Sequence, residues 1–132
     1  MGPNELLDKG FYVGSPIPRF HVVRQSDVEE CELLDTAGGD WLGIAQEGVD
    51  ELDQDRRRVV RVRPMGISRG VAGATFDTFD GATRTRLAAD GDGRLVPATA
   101  DDHVVGIALT SAAAVGDWVD VQLTPGVQVP SA

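Results

Sequence analysis

The sequence predicts an all-β fold, a small β-barrel or a β-sandwich with little helix. Three observations support this prediction. Apolar residues occur in short runs separated by Gly, Asp and Thr, many runs alternate with period two, and one strand phrase occurs twice. Aromatic residues make up only 5% of the 132 residues, so the core must consist mainly of aliphatic side chains.

Short segments with the strand pattern follow one another along most of the chain. In the segment 58–63, Val60 and Val62 point to one side while Arg61 and Arg63 point to the other, which predicts one buried and one solvated face. Asp-Gly pairs at 90–93 predict a hairpin turn. The candidate strands are 20–25, 29–34, 41–46, 58–63, 84–89, 94–98, 104–109, 118–123 and 127–129.

The first 19 residues differ from the rest because they show no stable apolar period. They contain three glycines and three prolines around a short apolar group, Phe11, Tyr12 and Val13. This composition predicts an extended N-terminal arm over residues 1–19, followed by a single β domain over residues 20–132.

An internal repeat relates the two halves of the predicted domain. The phrase Gly-Ile-Ala begins at Gly43 and again at Gly106, 63 residues later, and Val60 matches Val119 at a distance of 59 residues. The two copies cover approximately 20–69 and 84–129. Neither copy can bury its apolar face alone, so we expect two related strand-hairpin units that complete one core.

The charge excludes some classes of partner. The formal net charge is −9, with 21 acidic against 12 basic residues. Nucleic-acid affinity depends on clustered Lys and Arg, so DNA and RNA are not expected partners. No apolar run approaches the roughly 20 residues that span a bilayer, so no membrane partner is expected either.

No constellation of residues indicates catalysis, a cofactor or a metal. The loop LLDTAGG around Asp35 is similar to an aspartic-protease loop but has Ala37 in place of the glycine, and a carboxylate dyad would require dimerisation. The carboxylates of 90–102 lack the spacing of an EF-hand loop. His21 and His103 have no nearby Ser or Cys partner, and Cys31 lies in an apolar run that predicts a buried structural thiol.

The remaining candidate site is therefore a contact surface. Trp41 and Trp118 are expected to pack in the core, whereas aromatic residues on an arm are expected to dock on a neighbour. The candidate residues for contact with a partner or an adjacent protomer are Phe11, Tyr12, Val13 and Ile17 of the arm, and Arg56 and Arg57 of the basic run.

The stretch 70–129 resembles the capsid decoration, or cement, proteins of tailed phages that have a small β-barrel. The resemblance lies in five phrases. They are an Asp-Gly turn before an apolar strand (93–96), a Val-Gly-Ile-Ala strand (105–108), an Ala-rich turn that ends in Gly (112–116), a Val-x-Val-x-Leu strand (119–123) and a following Gly turn at Gly126.

This resemblance implies a barrel or β-tulip-like fold and a structural, non-enzymatic role. The chain would be made in the host cytoplasm and would join the outer capsid surface of the virion. There it would bind the major capsid protein, as a homotrimer near the capsid three-fold axes, and stabilise the lattice without a cofactor.

Other interpretations remain open. A head-fibre or tail module would share the same strand pattern. A small dimeric enzyme similar to aspartic proteases would use Asp35, a metal-dependent hydrolase would use the carboxylates of 90–102, and a ligand-binding barrel would require a dry apolar pocket.

Overall fold

The computed structural model describes residues 8–49 and 58–131 of the chain. These two ranges contain twelve β-strands and no helix, which confirms the predicted all-β fold. The strands are β1 (Lys9–Val13), β2 (Val22–Asp27), β3 (Glu30–Leu33), β4 (Gly43–Ala45), β5 (Arg58–Arg63), β6 (Gly66–Val71), β7 (Phe79–Asp80), β8 (Thr83–Arg84), β9 (Arg86–Ala89), β10 (Leu95–Pro97), β11 (His103–Ala108) and β12 (Trp118–Gln128).

The first five strands form a closed barrel in the order β1-β3-β2-β4-β5. Strand β1 closes it by pairing on both sides. It is antiparallel to β5, with Phe11 opposite Val60, and parallel to β3, with Val13 opposite Cys31. Closure removes the open edges that would otherwise expose unpaired backbone groups.

Five later strands form a second sheet in the order β10-β9-β11-β12-β6. Its two edge strands approach each other at a parallel bridge between Ala72 and Leu95. The Gly73 amide donates a hydrogen bond of 2.7 Å to the Leu95 carbonyl at the same place. The two edges of the second sheet therefore meet at this point, much as β1 and β3 meet where the first barrel closes. The short strands β7 and β8 pair separately as a hairpin.

The two five-stranded units share one topology and one register. In the first unit Ala45 of β4 lies opposite Val62 of β5. In the second unit Ala108 of β11 lies opposite Val121 of β12, and these are the positions that the sequence repeat matches. Read from β6, the second sheet has the order β6-β12-β11-β9-β10. Read from β1 towards its neighbour β5, the closed barrel has the order β1-β5-β4-β2-β3, so corresponding strands occupy the same places. The repeat therefore begins at β1 and β6, earlier in each half than the predicted starts at 20 and 84.

A close approach between two neighbouring strands, found once in each unit, explains why the phrase Gly-Ile-Ala occurs twice. A methyl group added at Gly43 would overlap the carbonyl oxygen of Arg63 and the side chain of Val62. One added at Gly106 would overlap the carbonyl oxygen of Gln122 and the neighbouring valine in the same way. Each half needs a glycine where β4 or β11 approaches the next strand closely.

The predicted arm over 1–19 is not what the structure shows for residues 8–19. Strand β1 is part of the first barrel, and the side chains of Phe11, Val13 and Ile17 are buried in its core. Just before β1, the Asp8 carboxylate accepts hydrogen bonds of 2.8 and 3.2 Å from two nitrogens of Arg63. The glycines and prolines here are compatible with pairing because strand β1 is only five residues long and the prolines follow it.

The core consists of two clusters of buried side chains. One cluster fills the first barrel and includes Val23 and Ala45. The other fills the second unit and the seam between the two units, and it includes Val22 and Ile44 of the first barrel. Strand β4 and the first two residues of β2 are therefore buried on both faces, which is why their apolar residues are consecutive rather than alternating.

We predict that Gly43→Ala and Gly106→Ala each lower the free energy of unfolding by about 1–3 kcal/mol, because the added methyl group would displace backbone atoms. Urea unfolding followed by fluorescence would measure the change. Gly91→Ala is the matched control, since its methyl group would come no closer than 3.7 Å to any other atom outside its chain neighbours. Equal stability of all three variants would contradict the proposed close approach.

Candidate interaction surface

The structure describes four of the six residues predicted to form a contact surface, and three of these four are buried. Phe11, Val13 and Ile17 are core residues of the first barrel, so the prediction that they face a partner is corrected by their burial. Apolar side chains at alternate positions point inward once the segment is paired on both sides. Tyr12 points outward and is 38% exposed. Arg56 and Arg57 lie outside the residues that the structure describes.

Tyr12 belongs to a small exposed apolar area at one end of the first barrel. Its cross-strand neighbour is Val59, which is also exposed, and its backbone amide donates a hydrogen bond of 2.8 Å to the Glu29 carbonyl. Val28, in the same turn between β2 and β3, is largely exposed. We call Tyr12, Val28 and Val59 the Tyr12 surface. The turn beside it is acidic, with Asp27, Glu29 and Glu30.

A second exposed area is built around Trp118, the first residue of β12. Its ring is 55% exposed and meets the ring of Phe20 edge to face, with centroids 5.3 Å apart. The guanidinium groups of Arg69 and Arg19 lie 5.1 and 5.9 Å from the centre of the Trp118 ring. We call Arg19, Phe20, Arg69 and Trp118 the Trp118 cluster.

Local strand pairing explains how the cluster is assembled. Trp118 lies opposite Val71 on β6, and Asp120 lies opposite Arg69 two residues further along. The Arg69 guanidinium is 3.9 Å from the Asp120 carboxylate, a half-exposed ion pair beside the ring. Cations near the face of a tryptophan contribute about 0.5–1 kcal/mol each at exposed sites. The ring is thus held in place although it is open to solvent.

The two tryptophans differ in burial. Trp41 is partly buried, packs on the core at the seam and donates a hydrogen bond of 2.9 Å from its indole nitrogen to the Val104 carbonyl. The prediction of core packing therefore holds in part for Trp41 and is wrong for Trp118. The pattern WVDVQL places Trp118 on the same side as Asp120 and Gln122, which is the solvated side, and this signal could have identified its exposure.

The hairpin of β7 and β8 carries a third exposed aromatic ring. Phe79 is 52% exposed, and the Arg84 guanidinium lies 5.3 Å from the centre of its ring. The next strand begins with Arg86, which is also exposed. This part of the second unit therefore presents two arginines together with Asp80, which lines the same groove, whereas the turn beside Tyr12 carries only acidic charged groups.

The carboxylates considered for catalysis or metal binding are engaged in turns. Asp90 accepts hydrogen bonds of 2.8 and 3.0 Å from the amides of Asp92 and Arg94. Asp102 accepts one of 2.9 Å from the Thr99 amide. The Asp35 side chain is exposed and accepts a weak hydrogen bond of 3.3 Å from the Thr36 hydroxyl. Within the described ranges, no group of three His, Cys, Asp or Glu side chains is arranged to hold a metal ion.

The histidines are also in local contacts. His21 is buried, and its Nδ1 lies 3.0 Å from the Arg19 carbonyl. His103 Nδ1 is 3.9 Å from the Asp40 carboxylate at the surface. In the part of the chain that the structure describes, no helix is long and apolar enough to cross a membrane.

Comparisons with known proteins point to a shared fold. No protein-family model matches the sequence, and no curated protein matches it by sequence. By structure, the chain is similar to the N base of the head fibre protein gp8.5 of bacteriophage phi29, with a TM-score of 0.69 and 18% sequence identity. The match covers 89% of this chain and 92% of the other. Residues from both five-stranded units must therefore be included in the shared fold.

Cys31 supports a prediction about pH. Burial raises the pKa of its thiol to about 11, and the carboxylates of Glu30 and Glu32 add to the shift. Above the ordinary thiol pKa of 9.0 the unfolded chain loses this proton while the folded chain keeps it. The contribution of Cys31 to stability is therefore complete below about pH 9 and lost as pH rises to about 11.

We expect the loss to be about 2–3 kcal/mol, since one pKa unit corresponds to about 1.4 kcal/mol. Urea titrations of the wild-type protein and of Cys31→Ala across this pH range would measure it. The difference in unfolding free energy between the two proteins should shrink with rising pH. A constant difference would contradict the buried, protonated thiol.

Proposed function

We propose that this chain is a structural virion protein that binds the outer surface of a phage head and stabilises the capsid lattice, as decoration proteins do. The observation that carries the proposal is the fold shared with the base of a phage head fibre over 89% of the chain. The phrases of 70–129 that resemble decoration proteins support the same assignment. The proposed partner is the major capsid protein.

The Trp118 cluster is the proposed contact with the head. Tryptophan and arginine are the residue types most enriched among those that dominate binding energy at protein interfaces. Here the ring is exposed but already in contact with Phe20 and close to Arg19 and Arg69, so less side-chain freedom remains to be lost on binding. A held aromatic ring flanked by two cations fits a capsid surface with acidic and apolar groups.

The proposed assembly is a homotrimer near the three-fold axes of the capsid. A net charge of −9 favours solubility before assembly, because copies of the free protein repel one another at long range. On the head, several weak contacts within one trimer act together, and multivalency makes the total attachment much tighter than any single contact. Synthesis in the host cytoplasm and attachment to the completed head fit this order of events.

A head-fibre role is the second candidate. It is favoured by one specific observation, the extensive structural match to a protein that is itself the base of a head fibre. Both roles require binding to the head. They differ in their effect on the shell, because a decoration protein stabilises the lattice whereas a fibre base needs only to be attached.

We propose no catalytic role for the chain. In the 90–102 region, Asp90 and Asp102 accept hydrogen bonds from the backbone of their own turns, which supports a structural role for these carboxylates. A peptidase assay of the wild-type protein and of Asp35→Asn tests this part of the proposal. Peptidase activity that disappears in Asp35→Asn would overturn it.

Co-sedimentation with expanded phage heads that lack decoration tests the main proposal. We expect saturation at a constant ratio to the capsid subunit, and we expect saturated heads to resist heat or chelator better than bare heads. Saturable binding without any gain in resistance would favour the head-fibre role. Absence of saturable binding to matched heads would contradict both.

We predict that Trp118→Ala weakens head binding by about 30-fold or more, which corresponds to the loss of one dominant interface residue. The variant should remain folded, because the ring is half exposed and its contact with Phe20 contributes only about 0.5–1.5 kcal/mol. Binding isotherms from co-sedimentation would measure the effect. Met65→Ala is the control, since Met65 is 48% exposed but lies outside the cluster. Equal affinities of the two variants would exclude the cluster as the contact.

A further inference from the structure

The seam between the two units joins two different surfaces. The first barrel contributes Phe20, Val22 and Ile44. The Val22 amide donates a hydrogen bond of 2.8 Å to the carbonyl of Gly93, in the turn between β9 and β10. Phe20 meets Trp118 at the rim of the seam. Because the surfaces differ, the contact is head to tail rather than two-fold symmetric. Within the described residues, one surface of each kind therefore lies outside the seam, and we call these two the unused surfaces.

The unused surface of the first barrel is the Tyr12 surface. Tyr12 and Val59 form a cross-strand pair between β1 and β5, and Val71 and Trp118 form the corresponding pair between β6 and β12. The turn that contains Glu29 corresponds to the turn that contains Gly93, since Gln25 pairs with Cys31 as Ala89 pairs with Leu95. The surface by which the second unit meets the first is therefore repeated, exposed, on the first barrel.

The unused surface of the second unit is centred on Arg86. Val22 pairs with Ile44 across β2 and β4, and Arg86 pairs with Ile107 across β9 and β11. Arg86 is exposed and Ile107 is only partly covered. Arg84 and Arg86 therefore stand where the first barrel has the apolar residues of its side of the seam. We call Arg84, Arg86 and Ile107 the Arg86 surface.

The two unused surfaces carry charged groups of opposite sign, and Asp80 lines the same groove as Arg84 and Arg86. Asp27, Glu29 and Glu30 line the turn beside Tyr12, whereas Arg84 and Arg86 are the cations of the other surface. In the seam, the Val22 amide donates a hydrogen bond to the Gly93 carbonyl, and the corresponding positions on the unused surfaces are Arg86 and Glu29. An ion pair between Arg86 and Glu29 would take the place of that backbone hydrogen bond, and such complementary charges specify which surfaces meet.

We propose that a second copy of this chain docks its Arg86 surface on the Tyr12 surface of the first. The contact uses the surfaces that correspond to the internal seam but at a wider spacing, because a side chain at the Gly93 position of the seam would overlap the carbonyl of Val22. Glu29 of one copy then faces Arg86 of the next. A head-to-tail contact closes into a ring or continues as a filament. The number of copies rests on the proposed function. Three copies that close into a ring through this contact would form the proposed trimer.

Charge reversal tests the contact. Glu29→Arg and Arg86→Glu should each weaken self-association of the full chain by about tenfold or more at low salt, because each places like charges in contact. The chain that carries both substitutions should associate as the wild type does, since the ion pair is restored in reverse. Sedimentation equilibrium over a range of protein concentrations would measure this. Asp77→Arg, at an exposed position of the second unit, is the control with the same change in charge.

Several outcomes would overturn the inference. They are a wild-type chain that stays monomeric at its highest soluble concentration, single variants that associate normally, and a double variant that is not restored. A contact of one Tyr12 surface with another Tyr12 surface would also fail the restoration test, because residue 29 would then lie near residue 29. Head binding is a separate readout. Single variants that no longer self-associate but still co-sediment with heads would support the contact, and loss of wild-type head binding would leave the association result unaffected.

Discussion

The structure depends on the apolar seam between its two five-stranded units. Val22 and Ile44 point out of the first barrel into the cluster that fills the second unit, while their neighbours Val23 and Ala45 point into the first barrel. At these positions the two strands bury side chains on both of their faces. Fully burying one such aliphatic side chain contributes about 1.5–3 kcal/mol. A buried hydrogen bond of 2.8 Å from the side-chain amide nitrogen of Gln46 to the Ser68 hydroxyl adds polar specificity to the seam. We therefore regard the two units as one folding unit.

The surfaces proposed for function follow from this seam. The seam joins unlike surfaces of two related units. It therefore leaves the Tyr12 surface, beside an acidic turn, on the first barrel and the Arg86 surface, with its two arginines, on the second unit. It also brings Phe20 and Arg19 of the first barrel beside Trp118 of the second unit, so the Trp118 cluster exists only when the units are joined. One packing arrangement thus creates both a proposed contact with the head and a proposed contact between copies.

Much of the fold could be predicted from the sequence, and the exceptions have physical causes. The period-two pattern of 58–63 predicted β5, and the repeated Gly-Ile-Ala predicted the shared register. Strand β6 was missed because its glycines interrupt the apolar pattern. Gly70 provides the space that Leu95 fills, and that relation is not visible before the strands are paired. Strand β1 was missed because glycines and prolines surround its short apolar group. The strands that pair with it, β3 and β5, lie further along the chain and are not identifiable as its partners from the local sequence. The Trp118 cluster combines residues from both units, so no local pattern could indicate it.

The most direct measurement is an electron cryo-microscopy reconstruction of heads saturated with this protein, at a resolution that shows large side chains. We expect density for the Trp118 ring, with Arg19 and Arg69 close to it, against the capsid shell. We also expect the Glu29 turn of each copy to lie beside Arg86 of its neighbour. A reconstruction in which the Trp118 cluster faces away from the shell, with the protein attached through another surface, would contradict the proposed mode of binding.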